Sequence, residues 1–486
     1  MKIAQLWMVL LFAGLTAMTA SGKTLRIVSY NIDCADQNDG NITNSYHSLP
    51  TVVQAIGLHH LGTNAQPVDL MSCEELNAGT LSNFCAQLNA IYGANIYAYD
   101  LTKDTNTGGG SDGILFRTNS VQVVSARCLP VGDTVLLQSN GSYVTAYNVA
   151  GGVKGVTRSP MCYQIRPLGF SSNCDFYFYV SHARSTSDNA AGDARYAEAQ
   201  EIRSDAKYKL PAGAHILIGG DWNLFNGSYE NAYKCLTGQV TSDGKDWSDT
   251  SSFWANTNQT QAFDPVSKTL PPTTFTWTNS GVDIGSYFYT DSTDAGTYAM
   301  SSRIDIQLPN ALMFAAYNPN GGVQLAPDAA DPYDISNFPA AQYPYAFETF
   351  GNNGSTTRGS MATDASNRSL SDLASTTPNA TTVLRDLTLA GTGTGNAGIL
   401  VGSDHYPIFG DYNIVVVPPV LNPNVAVTNK LVQFAVTGAA GNNYAVDASA
   451  NLSPANWVPM VTNQSPFVFK DTNSSQQKFY RARSVP

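Results

Sequence analysis

The stretch HILIGGDWN at His215–Asn223 carries the pattern that decides the fold. Its apolar run is typical of a strand covered on both faces, and the two glycines that follow let the backbone approach a ligand closely. Asp221 and Asn223 stand two positions apart, so an extended chain places their side chains on one side. The stretch therefore predicts a central strand that ends in a carboxylate and an amide, although Gly-Asp-x-Asn also forms ordinary turns.

Strand-like runs of the same kind recur along the chain. The clearest are Leu25–Ile32, Asp69–Cys73, Gly113–Arg117, Asp175–His182, Arg303–Leu308 and Pro407–Val417. Helical patterns intervene at Leu49–Leu61, with Pro50 in the first turn, and at Ala194–Tyr208, with Asp193 as a possible N-cap. Strands mixed with helices predict a layered α/β protein.

The N-terminus has the pattern of a secretory signal peptide. Lys2 is followed by the apolar run Leu6–Leu15 and by small residues at positions 20–22. The run is too short for a membrane span, and an anchor helix is the alternative interpretation. We expect a mature chain that starts near Lys23 and works outside the cytoplasm.

Composition and charge limit the function classes. The formal net charge is −11 and only 13% of residues are charged. This balance does not suit indiscriminate binding to nucleic acid, because that affinity comes from Lys and Arg. A local basic or metal-lined cleft can still override the global sign.

The rest of the chain divides into further segments. Two Gly/Asn/Ser/Thr-rich stretches, near Asn226–Asp294 and Pro319–Asn396, are interpreted as loop-rich insertions. After a linker at 418–421, short alternating strands over 422–486 predict a small β-sandwich. The predicted domains are thus a signal peptide (1–22), a catalytic domain (23–417), the linker and this module. Among seven cysteines, Cys162 and Cys174 are the best candidates for a disulfide, with buried reduced thiols as the alternative.

Polar groups follow several of the predicted strands, where loops gather around a site. Asn31 ends the first strand, and the acids Glu74 and Glu75 end the second; counting from Asp69 favours Glu75 as the acid that faces the site. Carboxylates at such positions suit the hard cations Mg²⁺ and Mn²⁺. His182 follows a strongly apolar strand, although an isolated histidine is more often structural.

The segment Ser-Asp-His-Tyr-Pro at 403–407 is the strongest single motif. Asp404 offers a carboxylate for a metal and His405 an imidazole for proton transfer. A second acid, such as Asp305, would hold that imidazole in the correct tautomer.

In this order, the segments resemble the endonuclease/exonuclease/phosphatase superfamily, which includes DNase I-like nucleases, sphingomyelinases and inositol polyphosphate phosphatases. The resemblance covers roughly Leu25 to Val417 and rests on Asn31, Glu75, His182, GDWN, RID and SDHYP. It implies a DNase I-like α/β fold, with a two-layered β-sandwich flanked by helices, beside the small all-β C-terminal sandwich.

The resemblance also implies roles for the matching residues. Asn31, Glu75 and Asp404 would hold a divalent cation, usually Mg²⁺ with Mn²⁺ or Ca²⁺ as alternatives. The catalytic set would be His182, Asp221, Asn223, Asp305 and His405. Trp277 matches the family's aromatic position before the RID motif, whereas Arg158 and Arg195 are weaker candidates for which salt-bridge or surface roles are expected. Glu74 departs from the family, which commonly has Gln there. The segment between Asp305 and Ser403 is longer than usual for the family and could form a lid or a substrate-selecting wall.

The resulting hypothesis is a secreted metal-dependent phosphodiesterase, with a nuclease as the first choice. A sphingomyelinase-like lipid phosphodiesterase and an inositol-phosphate phosphatase are the alternatives. A secreted, non-enzymatic binding protein on a retired scaffold is the alternative of another class. The full set of ionisable residues argues against it, because a retired site would be expected to lose some of them.

Overall fold

The computed structural model describes the fold over most of residues 22–415 and most of the C-terminal strands. The described residues are 22–32, 49–60, 65–76, 79–101, 111–149, 155–170, 172–225, 227–250, 260–262, 278–279, 282–283, 291–292, 300–302, 304–313, 347–351, 368–387, 403, 405–415, 420–421, 426–428, 431–437, 443–451, 456–472 and 478–484. The signal-peptide segment up to Ser21 and the residues Arg303, Asp404 and Trp277 lie outside them. Two compact units are present, the larger formed by Thr24–Leu168 with Cys174–Ile414 and the smaller including Val415–Pro486. The predicted boundaries at 22, 417 and 421 stay predictions.

Two sheets form the body of the larger unit. The first sheet has the spatial order β16 (Phe347–Thr349), β17 (Ile408–Val415), β1 (Gly22–Asn31), β2 (Leu70–Leu76), β4 (Ser111–Arg117) and β3 (Tyr97–Asp100). The second has the order β15 (Asp305–Pro309), β10 (His215–Asp221), β9 (Phe176–Val180), β8 (Met161–Pro167) and β5 (Val121–Cys128). Small two-stranded pairs are β6 (Thr134–Leu137) with β7 (Tyr143–Thr145), β11 (Thr278–Asn279) with β12 (Val282–Asp283), and β13 (Asp291–Ser292) with β14 (Met300–Ser302).

The two main sheets face each other through close polar and apolar contacts. Gln307 of β15 donates through Nε2 to the carbonyl of Ile27 on β1 at 3.1 Å. Gly219 of β10 allows this approach, because a Cβ there would lie 2.6 Å from the Ser29 hydroxyl and 2.8 Å from the Phe178 ring. The strand ends that carry the polar residues are therefore brought together between the sheets.

Helices cover the outer faces. They are α1 (Leu49–Leu58), α2 (Thr80–Tyr92), α3 (Asn189–Lys209), α4 (Asn231–Leu236) and the short helices Arg368–Ser371 and Ala380–Leu387, with single 3₁₀ turns at Ser172–Cys174 and Gly227–Tyr229. Leu81, Phe84 and Leu88 of α2 are buried in one hydrophobic cluster with Val52 and Ile56 of α1, on the first sheet. A second cluster joins α3 and α4 to the second sheet. The predicted fold class, a two-layered β-sandwich flanked by helices, is confirmed.

Helix α3 begins earlier than its sequence pattern predicts. Asp188, not Asp193, is the N-cap, and its carboxylate accepts from the Ala191 amide at 2.8 Å. The first turn, Asn-Ala-Ala-Gly, has no large apolar residue, so apolar periodicity could not locate it. A capping carboxylate offsets this weak start by satisfying a free backbone N–H.

The suggested disulfide between Cys162 and Cys174 is wrong, since both are free thiols. In the β8–β9 ladder Cys162 lies opposite Tyr179, whereas Cys174 precedes Phe176, the partner of Ile165. Tyr179 and Phe176 lie about 10 Å apart along the ladder, from three residues at ~3.3 Å each, and Cys174 is two residues further from Tyr179 in the chain. A disulfide needs Cα atoms within about 7 Å.

The described parts of the long insertion between Asp305 and Ser403 lie on the first sheet. Strand β16 pairs antiparallel with β17, with Phe347 opposite Gly410. Val383 and Leu387 are buried in the same cluster as α1. These parts extend the sheet and its helical layer rather than forming a lid.

The smaller unit contains two sheets of its own, as predicted for the C-terminal module. One consists of β18 (Val420–Leu421), β19 (Ala426–Thr428), β20 (Leu431–Thr437) and β23 (Phe467–Asp471), and the other of β21 (Asn443–Ser449), β22 (Val458–Gln464) and β24 (Phe479–Ser484). Phe434 and Phe469 of the first sheet share a core with Tyr444 and Val446 of the second. Within the described ranges, none of the helices combines the length and apolar character that crossing a bilayer requires.

Candidate active site

Strand β10 delivers Asp221 to the edge of the sheet, and Gly220 makes this possible. Gly220 has φ +114°, and a Cβ there would lie 2.2 Å from the Ser181 carbonyl oxygen. The backbones after β9 and at the end of β10 are consequently pressed together, and the Ala183 amide continues the pairing by donating to the Asp221 carbonyl at 2.8 Å. His182 and Asp221 become neighbours for this reason.

A bulge at the end of β2 separates the roles of Glu74 and Glu75. Glu74 lies opposite Asn31 in the parallel β1–β2 ladder and is fully buried. The register then shifts between Cys73 and Leu76, and Glu75 takes a left-handed φ of +57°. Burial, with Asp112 and Asp305 nearby, raises the pKa of Glu74 well above its ordinary value. Glu75 is the acid that reaches the site, as counting from Asp69 predicts.

Asn31 lies at the centre of the cluster. Its Nδ2 donates to Glu75 Oε1 at 3.0 Å and to Asp221 Oδ2 at 3.1 Å. The same nitrogen is 3.4 Å from His405 Nε2. The side chain at the end of β1 thus joins groups from three other segments.

His182 completes this part of the cluster from the end of β9. Its Nε2 lies 3.3 Å from Glu75 Oε1 and 3.5 Å from Asp221 Oδ2. Its backbone amide donates to Asp112 Oδ2 at 3.2 Å. Asp112 is a residue that sequence reasoning missed; an acid directly before the buried GILFR strand was the available sign.

His405 and Asp305 form a buried pair. His405 Nδ1 lies 2.7 Å from Asp305 Oδ2, and Asp305 itself lies opposite Asp221 in the β10–β15 ladder. Ser403 fixes the backbone here, because its hydroxyl donates to the Asn31 carbonyl at 2.5 Å and accepts from the His405 amide at 2.9 Å. With Nδ1 directed to the carboxylate, Nε2 of His405 faces Asn31 and Asp221.

Asn223 lies beside the cluster and contacts its backbone. It has a left-handed φ of +50°, and its backbone N–H donates to Asp221 Oδ1 at 2.9 Å. Its Nδ2 donates to the Ala183 carbonyl at 3.0 Å, and Arg158 Nη1 donates to the same oxygen at 2.9 Å. Asn223 and Arg158 therefore hold the segment that follows His182.

The donor set fits a divalent cation. Ligand atoms of Glu75, His182 and Asp221 lie within 4.8 Å of one another, as do those of Asp221, Asp305 and His405. Burial raises the pKa of Asp221 to about 8, with His405 opposing this and Asp305 and Glu75 adding to it. A positive ion would relieve the repulsion between the buried Asp221 and Asp305 and the partly buried Glu75, and carboxylate oxygens are the ligands that hard cations prefer. Of the predicted site residues, only Asp404 cannot be placed.

Comparisons with known proteins find similar structures but no similar sequence family. No protein-family model and no curated protein matches the chain. One similar solved structure is an endonuclease/exonuclease/phosphatase family protein from Bacteroides thetaiotaomicron, 14% identical over 60% of this chain and 83% of that chain, with a TM-score of 0.33. Another is truncated Caenorhabditis elegans TDP2, 13% identical over 80% of this chain and 97% of that chain, with a TM-score of 0.36.

A third similar structure is a mannosyl-6-phosphatase from Bacteroides thetaiotaomicron. It is 14% identical over 59% of this chain and 85% of that chain, with a TM-score of 0.30. The superfamily that the six segments resemble is thus represented among the neighbours.

Proposed function

We propose that this chain is an exported, metal-dependent phosphoesterase of the endonuclease/exonuclease/phosphatase type that hydrolyses phosphodiester bonds. The observation that carries the proposal is the Asp305–His405 pair, whose second imidazole nitrogen, Nε2, faces the Asn31, Glu75, His182 and Asp221 cluster. A histidine oriented by an acid, beside a site suited to a cation, is the arrangement that activates water against a phosphate.

Each side chain of the cluster has its own proposed role in the hydrolysis. Asp305 accepts from Nδ1 of His405, so that Nε2 is left to take a proton from an attacking water. Asp221 lies 3.9 Å from that nitrogen through Oδ2 and would orient the same water. His182 lies across the cluster and would donate to a phosphate oxygen as charge develops there.

Asn31 and Glu75, with Asp404 from the adjacent motif, are the residues that would hold the cation. Mg²⁺ is the first candidate because the set is rich in oxygen. When bound, the ion would polarise the phosphate and neutralise its charge.

For the substrate we propose nucleic acid first, with a lipid phosphodiester and an inositol phosphate as the alternatives. The choice follows the frequency of nucleases in the superfamily that the motifs resemble. The net charge of −11 requires that binding depends on the local site rather than on the whole surface. Export is proposed from the signal-like N-terminus.

The test is hydrolysis of plasmid DNA, RNA, sphingomyelin and an inositol phosphate, each with Mg²⁺ and with EDTA, by wild type, His405→Ala and His60→Ala. His60 is the matched control because its side chain is 54% exposed and lies outside the cluster. We expect chelator-sensitive cleavage of one substrate class, lost in His405→Ala and kept in His60→Ala. Full activity of folded His405→Ala would overturn the proposal, and absence of both cleavage and metal binding would favour the non-enzymatic binding protein.

A further inference from the structure

The buried guanidinium of Arg195 on α3 connects two loops. One follows His182 after β9, and the other runs from Asn223 to Glu230 after β10. Arg195 donates through Nε and Nη2 to the two carboxylate oxygens of Glu230, at 2.9 and 3.1 Å. Its Nη1 donates to the carbonyls of Arg184 and Thr186, at 2.9 and 2.8 Å. Both partners of the ion pair are buried, with side-chain exposures of 2% and 7%. Four of the five N–H groups of this guanidinium thus have acceptors, which favours a buried ion pair because its polar groups are largely satisfied.

The two loops are direct continuations of catalytic strands. Arg184 and Thr186 follow His182 after β9, and Glu230 ends the segment that begins at Asn223 after β10. Phe225 of the second loop lies under the guanidinium, 5.5 Å from its centre to the ring centroid. Arg195 therefore sets the separation of the two chain segments that carry His182 and the pair Asp221 and Asn223.

The first loop is strained where Arg195 contacts it. Thr186 has φ +88°, a conformation that a β-branched residue adopts only when its surroundings enforce it. The Thr186 hydroxyl donates to Asp188 at 2.7 Å, and Asp188 is the N-cap of α3. Asp188, which accepts from the Thr186 hydroxyl, and Arg195, which donates to the Thr186 carbonyl, together hold this conformation.

We propose that Arg195 and Glu230 are a positioning pair that holds His182 at its working distance from Asp221, an inference that rests on the phosphoesterase function proposed above. In the bonds given above, the two side chains contact each other and the carbonyls of Arg184 and Thr186. Their effect passes through the Ala183 segment, whose amide donates to the Asp221 carbonyl and whose carbonyl accepts from Asn223. Displacement of catalytic groups by about 1 Å is sufficient to cost on the order of a hundredfold in rate.

The test uses Arg195→Lys and Glu230→Gln, with Arg203→Lys as the matched control. Arg203 lies two turns further along α3, is equally buried, and also binds backbone carbonyls and an acid, those of Cys235, Trp247 and Asp249. It contacts neither loop of the site in these bonds. Lysine keeps the charge but loses the planar fork that contacts several acceptors at once.

We expect Arg195→Lys to lower kcat roughly 10- to 100-fold, and Glu230→Gln to lower it in the same direction, whereas Arg203→Lys stays within about threefold of wild type. The decisive measurement is the double-variant cycle with His182→Ala. If Arg195 acts through His182, Arg195→Lys adds less than about threefold in that background. An equal loss of kcat in both backgrounds would overturn the proposal.

Hydrogen exchange tests the pair without any substrate. The Ala183 amide should exchange faster in Arg195→Lys and remain protected in Arg203→Lys. If the wild type hydrolyses nothing, the proposed function fails while this exchange difference still supports the pair. Unchanged protection of Ala183 in Arg195→Lys would show that the pair does not position the segment.

Discussion

Asp305 and His405 are 100 positions apart in the chain, and their side chains meet at 2.7 Å between Oδ2 and Nδ1. Both are buried, so water does not compete for this contact. The carboxylate determines which imidazole nitrogen carries the proton and therefore which one can act on a substrate.

Changing Asp305 to Asn should lower kcat about a hundredfold or more while the protein stays folded. The amide can donate to Nδ1 and thereby favour the wrong tautomer, as it does in other acid–histidine pairs. The measurement is steady-state hydrolysis alongside the melting temperature. Near-normal turnover of the folded variant would contradict the role of this pair.

Glu75→Gln and Glu74→Gln should affect Mg²⁺ binding differently, although the two residues are adjacent. Glu75 faces the cluster, so we expect Mg²⁺ affinity to fall about tenfold or more in Glu75→Gln. Burial raises the pKa of Glu74 well above its ordinary value, which favours the neutral carboxyl that glutamine imitates. Titration calorimetry should find affinity within about threefold of wild type in Glu74→Gln. The reverse result would exchange the two assignments.

Gly220→Ala should be far more damaging than Gly132→Ala. The two glycines have similar φ values, +114° and +106°, so both variants carry a similar backbone cost of about 1–2 kcal/mol. Only the Cβ at position 220 would meet another atom, the Ser181 carbonyl oxygen at 2.2 Å, whereas position 132 has open space. Chemical denaturation and activity assays should show a larger loss of stability, and a loss of turnover, in Gly220→Ala alone. Equal losses would mean that the close approach of β9 and β10 is unimportant.

Replacing Glu201 with Met should stabilise the protein at pH 8. Glu201 is buried on α3, and neither carboxylate oxygen has a hydrogen-bond partner among the described residues. Burial, followed by Glu198 and Asp205, raises its pKa well above the ordinary 4.5. A raised carboxyl pKa makes folding less favourable as pH rises above 4.5, because the unfolded chain ionises first. The gain in melting temperature should therefore be largest at pH 8 and shrink towards pH 4. A gain that does not vary with pH would show that Glu201 does not titrate differently on folding.

The strands were predictable because a strand that is buried on both faces is a continuous apolar run in the sequence. The runs around Ile218, Phe178 and Ile114 are apolar without alternation, and all three residues are buried. Most site residues were predictable as well, because they are polar residues that directly follow these apolar runs. Of the eight predicted site residues, Asp404 alone lies outside the described part of the chain.

Other features depend on contacts that no local pattern encodes. Counting along β2 predicted Glu75 as the site acid, but it could not show the bulge through which Glu75 reaches the site while Glu74 stays between the sheets. The Asp112 carboxylate accepts a hydrogen bond from the backbone amide of His182, which is 70 positions away in the chain. The pairing of β16 with β17 was likewise invisible, since the inserted segment has too little apolar periodicity to suggest a strand.

The position of β17 beside β1 has a consequence for biosynthesis. The neighbour of the first strand is supplied by almost the last segment of the catalytic unit, and the site is closed by contacts between Asn31 and residues 403 and 405. At about 5–20 residues per second, a ribosome needs roughly 20 to 75 s to travel between the two ends of this site. A nascent chain therefore has no complete site until residue 405 has been synthesised, so the cell that makes the protein would meet the proposed activity only after that point.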